Sequence, residues 1–318
     1  MESQFIAWLR ERLYGHRRLR LGPGDDAAVL RLADRSECVI TTDLLTDGVD
    51  FVLSRTEARR VGHKALAVNL SDLAAMAARP VAAVVALALP GPGALELAKQ
   101  LYEGMLPLAE RFDLAIAGGD TNTWDGPLVI AVTAIGETTE RGPLVRSGAR
   151  VGDRIIVTGQ FGGSILGRHL DVEPRLAEAL LLHERYDLHA GIDCSDGLSL
   201  DLSRLCAESG CGAVIDLDRV PIAAAAVERV QGSGFGVQDS PGKAGVVRAS
   251  ALDHALSDGE DFELILAAPR DEAARMIAEQ PLAGVPVTDI GEFVAERGLW
   301  QRDAAGRIDI LEPRGWEH

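Results

Sequence analysis

Short acidic motifs are the features of this sequence best suited to chemistry. Six of them occur: GPGDD (22–26), ITTD (40–43), NLSD (69–72), AGGD (117–120), IDCSDG (192–197) and SDGED (257–261). A buried strand that ends in a carboxylate places it at the ligand-binding edge of an α/β sheet, and carboxylates gathered there bind hard cations such as Mg²⁺. Any one motif is equally explained as a turn or a helix cap. All six together favour a site built from several carboxylates.

Apolar runs and their periodicity predict the elements that carry these motifs. A long helix is predicted from Ser54, which has capping-box spacing to Glu57, up to the residue before Pro80. On this helix Asn69 and Asp72 share one face because they are three residues apart. The other predicted helices are 5–13, 94–111, 164–170, 174–185, 198–208 and 270–279, and the main predicted strands are 27–32, 38–42, 81–89, 128–136, 154–158, 263–267 and 287–294.

The length and net charge of the chain limit its domain organisation and the partners it can bind. A chain of 318 residues exceeds one ordinary domain and suggests two. The polar segment 137–153 lacks periodicity and predicts a boundary, which gives domains 1–140 and 141–318. The formal net charge of −16 disfavours nucleic-acid binding, because an acidic chain repels phosphate backbones.

Cysteine spacing and hydropathy bear on the compartment. The four cysteines, at positions 38, 194, 206 and 211, form no C-x-x-C pair, so neither a zinc site nor a disulfide framework is predicted. The apolar segment 81–89 is too short to span a bilayer, and the first residues lack the apolar stretch of a signal peptide. We therefore expect a cytoplasmic protein with no membrane partner.

The usual nucleotide-binding signatures do not occur in the sequence. It contains no G-x-x-x-x-G-K-[ST] loop, no G-x-G-x-x-G that opens a βαβ unit and no protein-kinase motif. Gly159, Gly162 and Gly163 precede a predicted helix, and their N–H groups could cradle a phosphate. A plain turn explains the same glycines.

The residues of these motifs and the order in which they occur resemble those of a known protein family. The series GDDAAVL, TTD, KALAVNLSDLAAM, GGDT, RSGA, VTG, SDGL and GEDFEL is similar to that of the thiamine-monophosphate kinases from about residue 22 onward. The stretch KALAVNLSDLAAM (64–76) is specific on its own, whereas GGDT and SDGL occur across the aminoimidazole ribonucleotide synthetase-like superfamily.

This resemblance implies an activity and an architecture. The activity is ATP-dependent phosphorylation of thiamine monophosphate to thiamine diphosphate, with several Mg²⁺ ions and with ATP as co-substrate. The implied fold is α/β (α+β) with two domains, each a mixed sheet covered by helices, and the implied assembly is a homodimer formed through the N-terminal domain. Carboxylates would hold the metals that neutralise two anionic reactants, and no catalytic residue beyond metal and phosphate binders is implied.

The resemblance also implies roles for individual residues. The implied metal ligands are Asp26, Thr41, Thr42, Asp43, Asp72, Asp120, Asp193 and Asp196; the implied ATP contacts are Tyr102, Gly119, Asp120, Arg146 and Ser195; and the implied substrate contacts are Asp50, Glu260 and Trp316. Simpler roles stay open for three of them. Tyr102 could be a core residue, Arg146 a solvated side chain and Trp316 part of a disordered tail.

Two positions depart from the family pattern. Asp50 stands where a substrate-binding His is usual, and we expect it to face either the thiazolium cation or a metal. Asp258 stands where Gly is usual, and it could bind a cation or cap a turn. Two other functions also stay open: another ATP-dependent enzyme of the superfamily, or a non-catalytic regulator that binds Mg-nucleotide.

Overall fold

A computed structural model describes residues 37–231 and 249–316, together with Arg12, Arg17, Leu19–Leu21, Val29–Leu30 and Leu32. The predicted metal ligand Asp26 and its GPGDD motif lie outside the described residues, as does most of the predicted helix 5–13. The chain divides into two compact units. The first runs to Pro143 and also includes Leu170–Leu180, and the second comprises Leu144–His169 and Leu181–His318.

The first unit is built on a four-stranded mixed sheet. Its strands are β3 (Cys38–Thr46), β4 (Arg79–Pro90), β5 (Ala115–Trp124) and β6 (Val129–Glu137), in the order β3-β6-β4-β5. Only β4 and β5 are parallel, and a crossover helix joins them as parallel pairing requires. A separate antiparallel ribbon pairs β1 (Leu19–Leu21) with β2 (Val29–Leu30).

Two helices form the helical layer of the first unit. Helix α1 (Ala58–Ala75) packs on the sheet, and α2 (Ala94–Arg111) packs on α1. A glycine on each helix permits this close packing. A Cβ on Gly62 would lie 1.9 Å from the Leu101 carbonyl oxygen, and one on Gly104 would lie 1.8 Å from the Arg59 carbonyl oxygen. Any larger residue at either position would push the helices apart.

The second unit contains a seven-stranded sheet. Its strands are β7 (Arg154–Thr158), β8 (Ala190–Asp193), β9 (Gly212–Asp216), β10 (Leu264–Ala268), β11 (Val287–Val294), β12 (Gly298–Arg302) and β13 (Ile308–Ile310). The order is β13-β12-β9-β11-β7-β10-β8, and only β12 and β9 run parallel. Its helices include α4 (Leu198–Ser209), α5 (Ala224–Gln231), α6 (Ala251–Ser257) and α7 (Arg270–Glu279), while α3 (Leu176–Arg185) begins in the first unit and ends in the second.

The predicted fold class is confirmed, and most predicted elements form within two or three residues of their expected bounds. Two predictions are wrong. Ser54 lies in a short 3-10 turn, Leu53–Arg55, and α1 begins at Ala58 after Glu57 without a side-chain cap, so no capping box forms. The region predicted as helix 164–170 forms two 3-10 turns, Ser164–Leu166 and Arg168–Leu170, which Gly167 separates with a φ of 136°. No helix within the described part of the chain is both long and apolar enough to cross a membrane.

Candidate active site

Three of the predicted metal ligands, Thr41, Asp43 and Asp72, lie together in the first unit. Asp43 lies in the middle of β3 on the sheet face that α1 covers, because it is in register with Val132 and Val85, which are both buried. Asp72 comes from α1, and the Thr41 hydroxyl donates a hydrogen bond to its Oδ2. Asp72 is close enough to Asp43 for its charge to raise the pKa of Asp43.

The surroundings of Asp43 within the protein disfavour the ionised form of its carboxylate. Burial, followed by repulsion from Asp72 and Asp50, raises the pKa of Asp43 from 3.8 to about 7. Its Oδ2 is buried and has no hydrogen-bond partner among the described residues. A buried oxygen of this kind is costly unless a donor or a cation satisfies it. Hard cations prefer carboxylate oxygens, so the Asp43–Asp72 pair fits Mg²⁺.

Asp50 closes the loop that follows β3 and also contributes charge to this site. Its Oδ2 accepts a hydrogen bond from the Thr46 backbone N–H at 2.6 Å, and its carbonyl oxygen accepts one from Lys64 Nζ at 2.8 Å. Lys64 is 1% exposed, so its ammonium is held inside the unit. The Asp50 charge is one of the causes that raise the pKa of Asp43, and its predicted contact with the thiazolium or a metal stays a prediction.

Other predicted ligands of the first unit lie elsewhere on the sheet. Thr42 belongs to the opposite face of β3, and its hydroxyl contacts the Thr133 hydroxyl at 3.0 Å. Asp120 is exposed and in register with Ala86, on that same opposite face, and its Oδ1 accepts the Thr121 N–H at 2.8 Å. The first unit thus does not bring the side chains of Thr42 and Asp120 together with that of Asp43.

Two predicted ATP contacts have structural roles in the first unit. Tyr102 is 1% exposed, and burial raises its pKa, which supports the alternative reading as a core residue. A Cβ on Gly119 would lie 1.8 Å from the Val85 carbonyl oxygen, so β4 and β5 can approach only with glycine there. These packing constraints explain both residue types without a nucleotide.

The second unit holds its predicted ligands in one loop, IDCSDG, between β8 and α4. Asp193 is 3% exposed at the end of β8, and Asp196 follows in the turn. Asp201, which lies in the first turn of α4, holds this turn in place. Its Oδ2 accepts hydrogen bonds from the backbone N–H groups of Asp196 at 2.8 Å and Gly197 at 3.0 Å. Arg204 Nη1 donates hydrogen bonds to both Asp201 Oδ1 and Asp196 Oδ2.

Sequence reasoning missed Asp201. Its carboxylate is 1% exposed, and burial raises its pKa to about 6. The available signal was its position in the first turn of a helix, where carboxylates commonly accept backbone N–H groups. Because it binds the turn that carries Asp196 without facing solvent itself, Asp201 is a positioning residue.

The SDGED segment lies against the same loop. The Glu260 N–H donates to the Ser195 carbonyl oxygen at 2.6 Å, and the Phe262 N–H donates to that of Cys194 at 2.8 Å. Glu260 and Phe262 adopt left-handed backbone angles, with φ of 53° and 52°. Non-glycine residues adopt this conformation at a cost and often do so at functional sites. Glu260 and Ser195, predicted to contact substrate and ATP respectively, are therefore neighbours.

Two other acidic residues of this segment bind the glycine turn. Asp261 accepts the Gly162 N–H at 2.9 Å, the Ser164 hydroxyl and Arg168 Nη2 at 2.6 Å, while burial raises its pKa to about 7. Asp258 accepts the Gly163 N–H at 2.9 Å. The N–H groups of Gly162 and Gly163 are therefore already bound to carboxylates, and the plain-turn interpretation of these glycines is confirmed.

Asp258 and Trp316 belong to one surface region of the second unit. Asp258 is bound by Arg229 at 2.8 Å and by His254 at 2.9 Å, so it caps and crosslinks the turn. The Trp316 indole N–H donates to the Asp258 carbonyl oxygen at 2.9 Å, and its backbone N–H donates to that of Asp196 at 3.0 Å. Trp316 is thus held by two hydrogen bonds, is 60% exposed and lines a pocket of about 370 Å³.

Arg146 lies at the start of the second unit. It begins the 3-10 turn Arg146–Gly148 and is exposed. Its carbonyl oxygen accepts the Ser209 hydroxyl at 2.6 Å, which fixes the backbone but leaves the guanidinium at the surface. An exposed guanidinium can bind phosphate oxygens in pairs.

The described residues do not form a complete metal cage within either unit. No group of three or more His, Cys, Asp or Glu side chains among them is arranged to hold a metal ion. The acidic positions are instead divided between Asp43 and Asp72 in the first unit and Asp193 and Asp196 in the second. Each set can supply part of a coordination shell for cations that also bind a phosphate-bearing ligand.

Both units of this chain are similar in sequence to known protein domains. Residues 24–138 match the AIR synthase related protein N-terminal domain, and residues 150–300 match the corresponding C-terminal domain. A thiamine-monophosphate kinase from Rhodopirellula baltica is 44% identical over 325 residues, which cover 100% of this chain and 97% of that protein. The chain belongs to the thiamine-monophosphate kinase family.

Solved structures of this family share the fold. The crystal structure of thiamine-monophosphate kinase from Stenotrophomonas maltophilia K279a superposes with a TM-score of 0.76 at 33% identity, covering 93% of this chain and 95% of that one. AaThiL complexed with AMPPCP and TMP superposes with a TM-score of 0.74 at 26% identity, covering 100% of this chain and 96% of that one. The family and fold implied by the sequence resemblance are thereby confirmed.

Proposed function

We propose that this protein transfers the γ-phosphoryl group of ATP to the phosphate of thiamine monophosphate, giving thiamine diphosphate and ADP. The observation that carries the proposal is the Asp43–Asp72 pair, with its buried and unpartnered carboxylate oxygen. Relatives that match nearly the full chain are thiamine-monophosphate kinases, and one solved structure of the family is complexed with AMPPCP and TMP.

The acidic site suits a reaction between two anions. Mg²⁺ ions, when bound, would neutralise the phosphates and the developing charge. The acceptor is a phosphate monoester with a second pKa near 6, so it is already ionised at neutral pH and needs no general base. This agrees with a site that is rich in carboxylates and in which no histidine is assigned a catalytic role.

The proposed roles combine the placement of the described side chains with the family resemblance. Asp43 and Asp72 hold cations in the first unit, and Asp193 and Asp196 hold them in the second. Asp26, Thr41 and Asp120 remain proposed ligands, as does the backbone of Thr42. Arg146 and the Ser195–Glu260 pair are proposed to contact the nucleotide and the substrate, and the exposed ring of Trp316 is proposed to stack on the thiamine rings.

The activity is tested directly with purified protein, Mg-ATP and thiamine monophosphate. We expect formation of thiamine diphosphate that depends on Mg²⁺, and no comparable turnover with thiamine as the acceptor. Calorimetry on the same preparation measures the binding of Mg-ATP. Binding without turnover of thiamine monophosphate would refute the kinase and support the non-catalytic regulator.

Replacement of Trp316 tests the proposed substrate pocket. Trp316→Ala should raise the KM for thiamine monophosphate about fivefold, since an aromatic stack contributes about 1 kcal/mol. The KM for ATP should not change, and Trp316→Phe should restore most of the affinity because it keeps the ring. Steady-state kinetics with each substrate varied in turn measure both constants.

The matched control for this experiment is Trp124→Ala. Trp124 is also partly exposed, and its indole N–H also donates to a carbonyl oxygen, but it lies at the end of β5 in the first unit. We expect no change in either KM. An unaltered KM for thiamine monophosphate in Trp316→Ala would remove this residue from the substrate site.

The proposal includes a homodimer formed through the open face of the first sheet. Ile40 and Leu44 on β3 are 65% and 62% exposed, and Val84 on β4 is 38% exposed. All three lie in the register rows of one sheet face, together with Ala86 and Ala131. An exposed sheet face that carries several large apolar side chains is a typical interaction surface.

Introducing a charged residue on this face tests whether the dimer forms through it. Leu44→Glu should convert the protein to a monomer, because pairing would bury the new carboxylate without a partner. The fold should remain, since position 44 is exposed in the single chain. Val151→Glu is a matched control, because Val151 is also 62% exposed but lies in the second unit. Sedimentation analysis that gave a monomer for the unaltered protein would exclude this interface.

A cytoplasmic location is also part of the proposal. Cys194, Cys206 and Cys211 are buried and unpaired, and Cys38 is exposed and unpaired. Reduced thiols are typical of a compartment that is kept reducing, which is also where ATP is available.

A further inference from the structure

The pocket beside Trp316 carries more positive than negative side chains. It has a volume of about 370 Å³, and its charged lining residues are Arg229, Asp258 and Arg314, all of the second unit. The lining therefore holds two guanidinium groups for one carboxylate. This balance disfavours a cationic ligand group and favours a group that accepts hydrogen bonds.

The carboxylate of this lining is already satisfied within the protein. Asp258 Oδ2 accepts hydrogen bonds from Arg229 Nη1 at 2.8 Å and from the Gly163 N–H at 2.9 Å, and its Oδ1 contacts His254 Nδ1 at 2.9 Å. Its side chain is only 8% exposed. Asp258 thus fixes the guanidinium of Arg229 and presents little of its own charge to a ligand.

Arg229 keeps hydrogen-bond donors available in the pocket. It lies near the end of α5, its side chain is 28% exposed, and Asp258 is its hydrogen-bond partner among the described residues. A guanidinium carries several N–H groups, so those not bound to Asp258 can donate to a ligand. Because one bond already holds the side chain, a second bond to a ligand costs little conformational entropy.

Apolar side chains supply further surface in the same pocket. Ile165 is 45% exposed and Trp316 is 60% exposed, and both line the pocket. The Trp316 indole N–H donates to the Asp258 carbonyl oxygen at 2.9 Å, which holds the indole next to the residue that binds Arg229. A flat ligand ring can pack on such side chains and keep its edge for hydrogen bonding.

The chemistry of thiamine monophosphate decides which part of it matches this pocket. Its phosphate must lie with the cations, and the carboxylates proposed to hold them do not line the pocket. Its thiazolium is a cation, which the two guanidinium groups repel. Its aminopyrimidine is flat and uncharged at neutral pH, and the ring nitrogens accept hydrogen bonds. This last part matches both the donors and the apolar surfaces of the pocket.

We propose that Arg229 is a specificity-determining residue, which donates a hydrogen bond to a ring nitrogen of the substrate's aminopyrimidine while that ring stacks on Trp316. Asp258 is the residue that positions Arg229. The phosphate end of the substrate then extends toward the loop that carries Asp196, whose carbonyl oxygen accepts the Trp316 N–H at 3.0 Å. This inference rests on the proposed kinase function, which supplies the substrate.

Two small probes isolate this contact. The first is the free aminopyrimidine alcohol that corresponds to this half of thiamine, and the second is an aminobenzyl alcohol with the same substituents but no ring nitrogen. Each is titrated, without ATP, into the full chain labelled with ¹⁵N-tryptophan, and the four indole N–H signals are followed. The Trp316 signal is assigned from its loss in Trp316→Phe. We expect a saturable shift of this signal with the pyrimidine, and about tenfold weaker binding of the benzyl analogue, which offers the guanidinium no ring acceptor.

Replacement of two arginines assigns the contact to Arg229. Arg229→Met keeps an unbranched side chain without donors, and Asp258 keeps its other two partners, so the fold should be retained. This variant should weaken binding of the pyrimidine about tenfold and leave the benzyl analogue unchanged. Arg219→Met is the matched control, because Arg219 also lies beside carboxylates of the second unit but does not line the pocket. It should change neither affinity, and the other indole signals report whether each variant is folded.

Equal affinity of the two probes for the unaltered protein overturns the inference, as does a preference for the pyrimidine that persists in Arg229→Met. The N-methylated thiazolium phosphate is the third probe, and a shift of the Trp316 signal with this molecule alone would assign the pocket to the other half of the substrate. Because binding is measured without ATP, its failure is distinct from that of the kinase assay. Turnover of thiamine monophosphate with no pyrimidine binding at Trp316 overturns the role of Arg229 and leaves the proposed function in place.

Discussion

Asp43→Asn is expected to lower kcat about a thousandfold while it stabilises the metal-free protein. The loss of rate follows from the proposed role of Asp43 as a charged ligand of the cations that stabilise the transition state. The gain in stability follows from the raised pKa of Asp43, because the fold holds this carboxylate in a place that disfavours its charge. If the Asp43 carboxylate only stabilised the fold, Asp43→Asn would instead lower the stability of the metal-free protein.

The sign of the pH dependence follows from the two pKa values of Asp43. The value is about 7 in the folded protein and 3.8 in an ordinary environment, so the folded state binds the proton more tightly. The contribution of Asp43 to stability is therefore fully present below pH 3.8 and is lost as the pH rises through 7. Asn does not titrate, so the advantage of Asp43→Asn should grow over this window to about 4 kcal/mol at pH 8.

Denaturant titrations in the presence of a chelator and of Mg²⁺ compare the metal-free protein with the Mg²⁺-bound protein. In chelator, Asp43→Asn should unfold at a higher denaturant concentration than the unaltered protein. Added Mg²⁺ should stabilise the unaltered protein more than the variant, because only the former keeps both carboxylates. Glu140→Gln, which neutralises an exposed carboxylate of the same unit, should change neither activity nor stability. Retention of activity in both Asp43→Asn and Asp72→Asn would exclude this metal site.

Asp201→Ala is expected to destabilise the second unit by about 3 kcal/mol and to lower kcat about a hundredfold. The carboxylate is 1% exposed and binds two backbone N–H groups and Arg204. Its removal leaves those donors unsatisfied, which costs about 1–3 kcal/mol for a buried group and more where a charge is involved. The turn that carries Asp196 is then no longer held against α4.

Asp201→Asn separates the positioning role from simple loss of stability. Its side-chain oxygen can still accept both backbone N–H groups, so the turn should be retained and kcat should recover by about tenfold relative to Asp201→Ala. Chemical denaturation and Mg²⁺-binding calorimetry should be run beside the kinetics, because a loosened turn weakens cation binding in folded protein. Asp218→Ala, at an exposed position after β9, is the control for loss of one carboxylate. Full activity in Asp201→Ala would show that Asp201 does not position the loop.

Local sequence patterns determined most of the elements of this fold. The predicted helices 94–111 and 270–279 and the predicted strand 287–294 have the bounds that the structure shows. Periodicity and breakers such as Pro80 report short-range sterics, which act wherever the segment lies. The helix predicted at 164–170 failed for a similarly local reason, since Gly163 and Gly167 adopt positive φ angles that break the helix into two turns.

The partners of the acidic side chains could not be read from the motifs. Asp43 and Asp72 were both predicted as ligands, and the structure brings them together across 29 positions of sequence. Asp258 and Asp261 belong to a motif of the same appearance, yet they bind the N–H groups of Gly162 and Gly163. A carboxylate beside glycine looks the same in sequence whether it faces a cation or a backbone amide.

The sequence by itself thus determined the family, the α/β class and the set of carboxylates available for chemistry, because these depend on residue types and short spacings. Only the tertiary structure decided which carboxylates are left unsatisfied, as Asp43 is, and which are used to hold a turn, as Asp201 is. The physical reason is that hydrogen bonding and desolvation depend on neighbours that strand order and helix packing bring from distant positions. The six acidic motifs share a composition, and their burial and partners set their different roles.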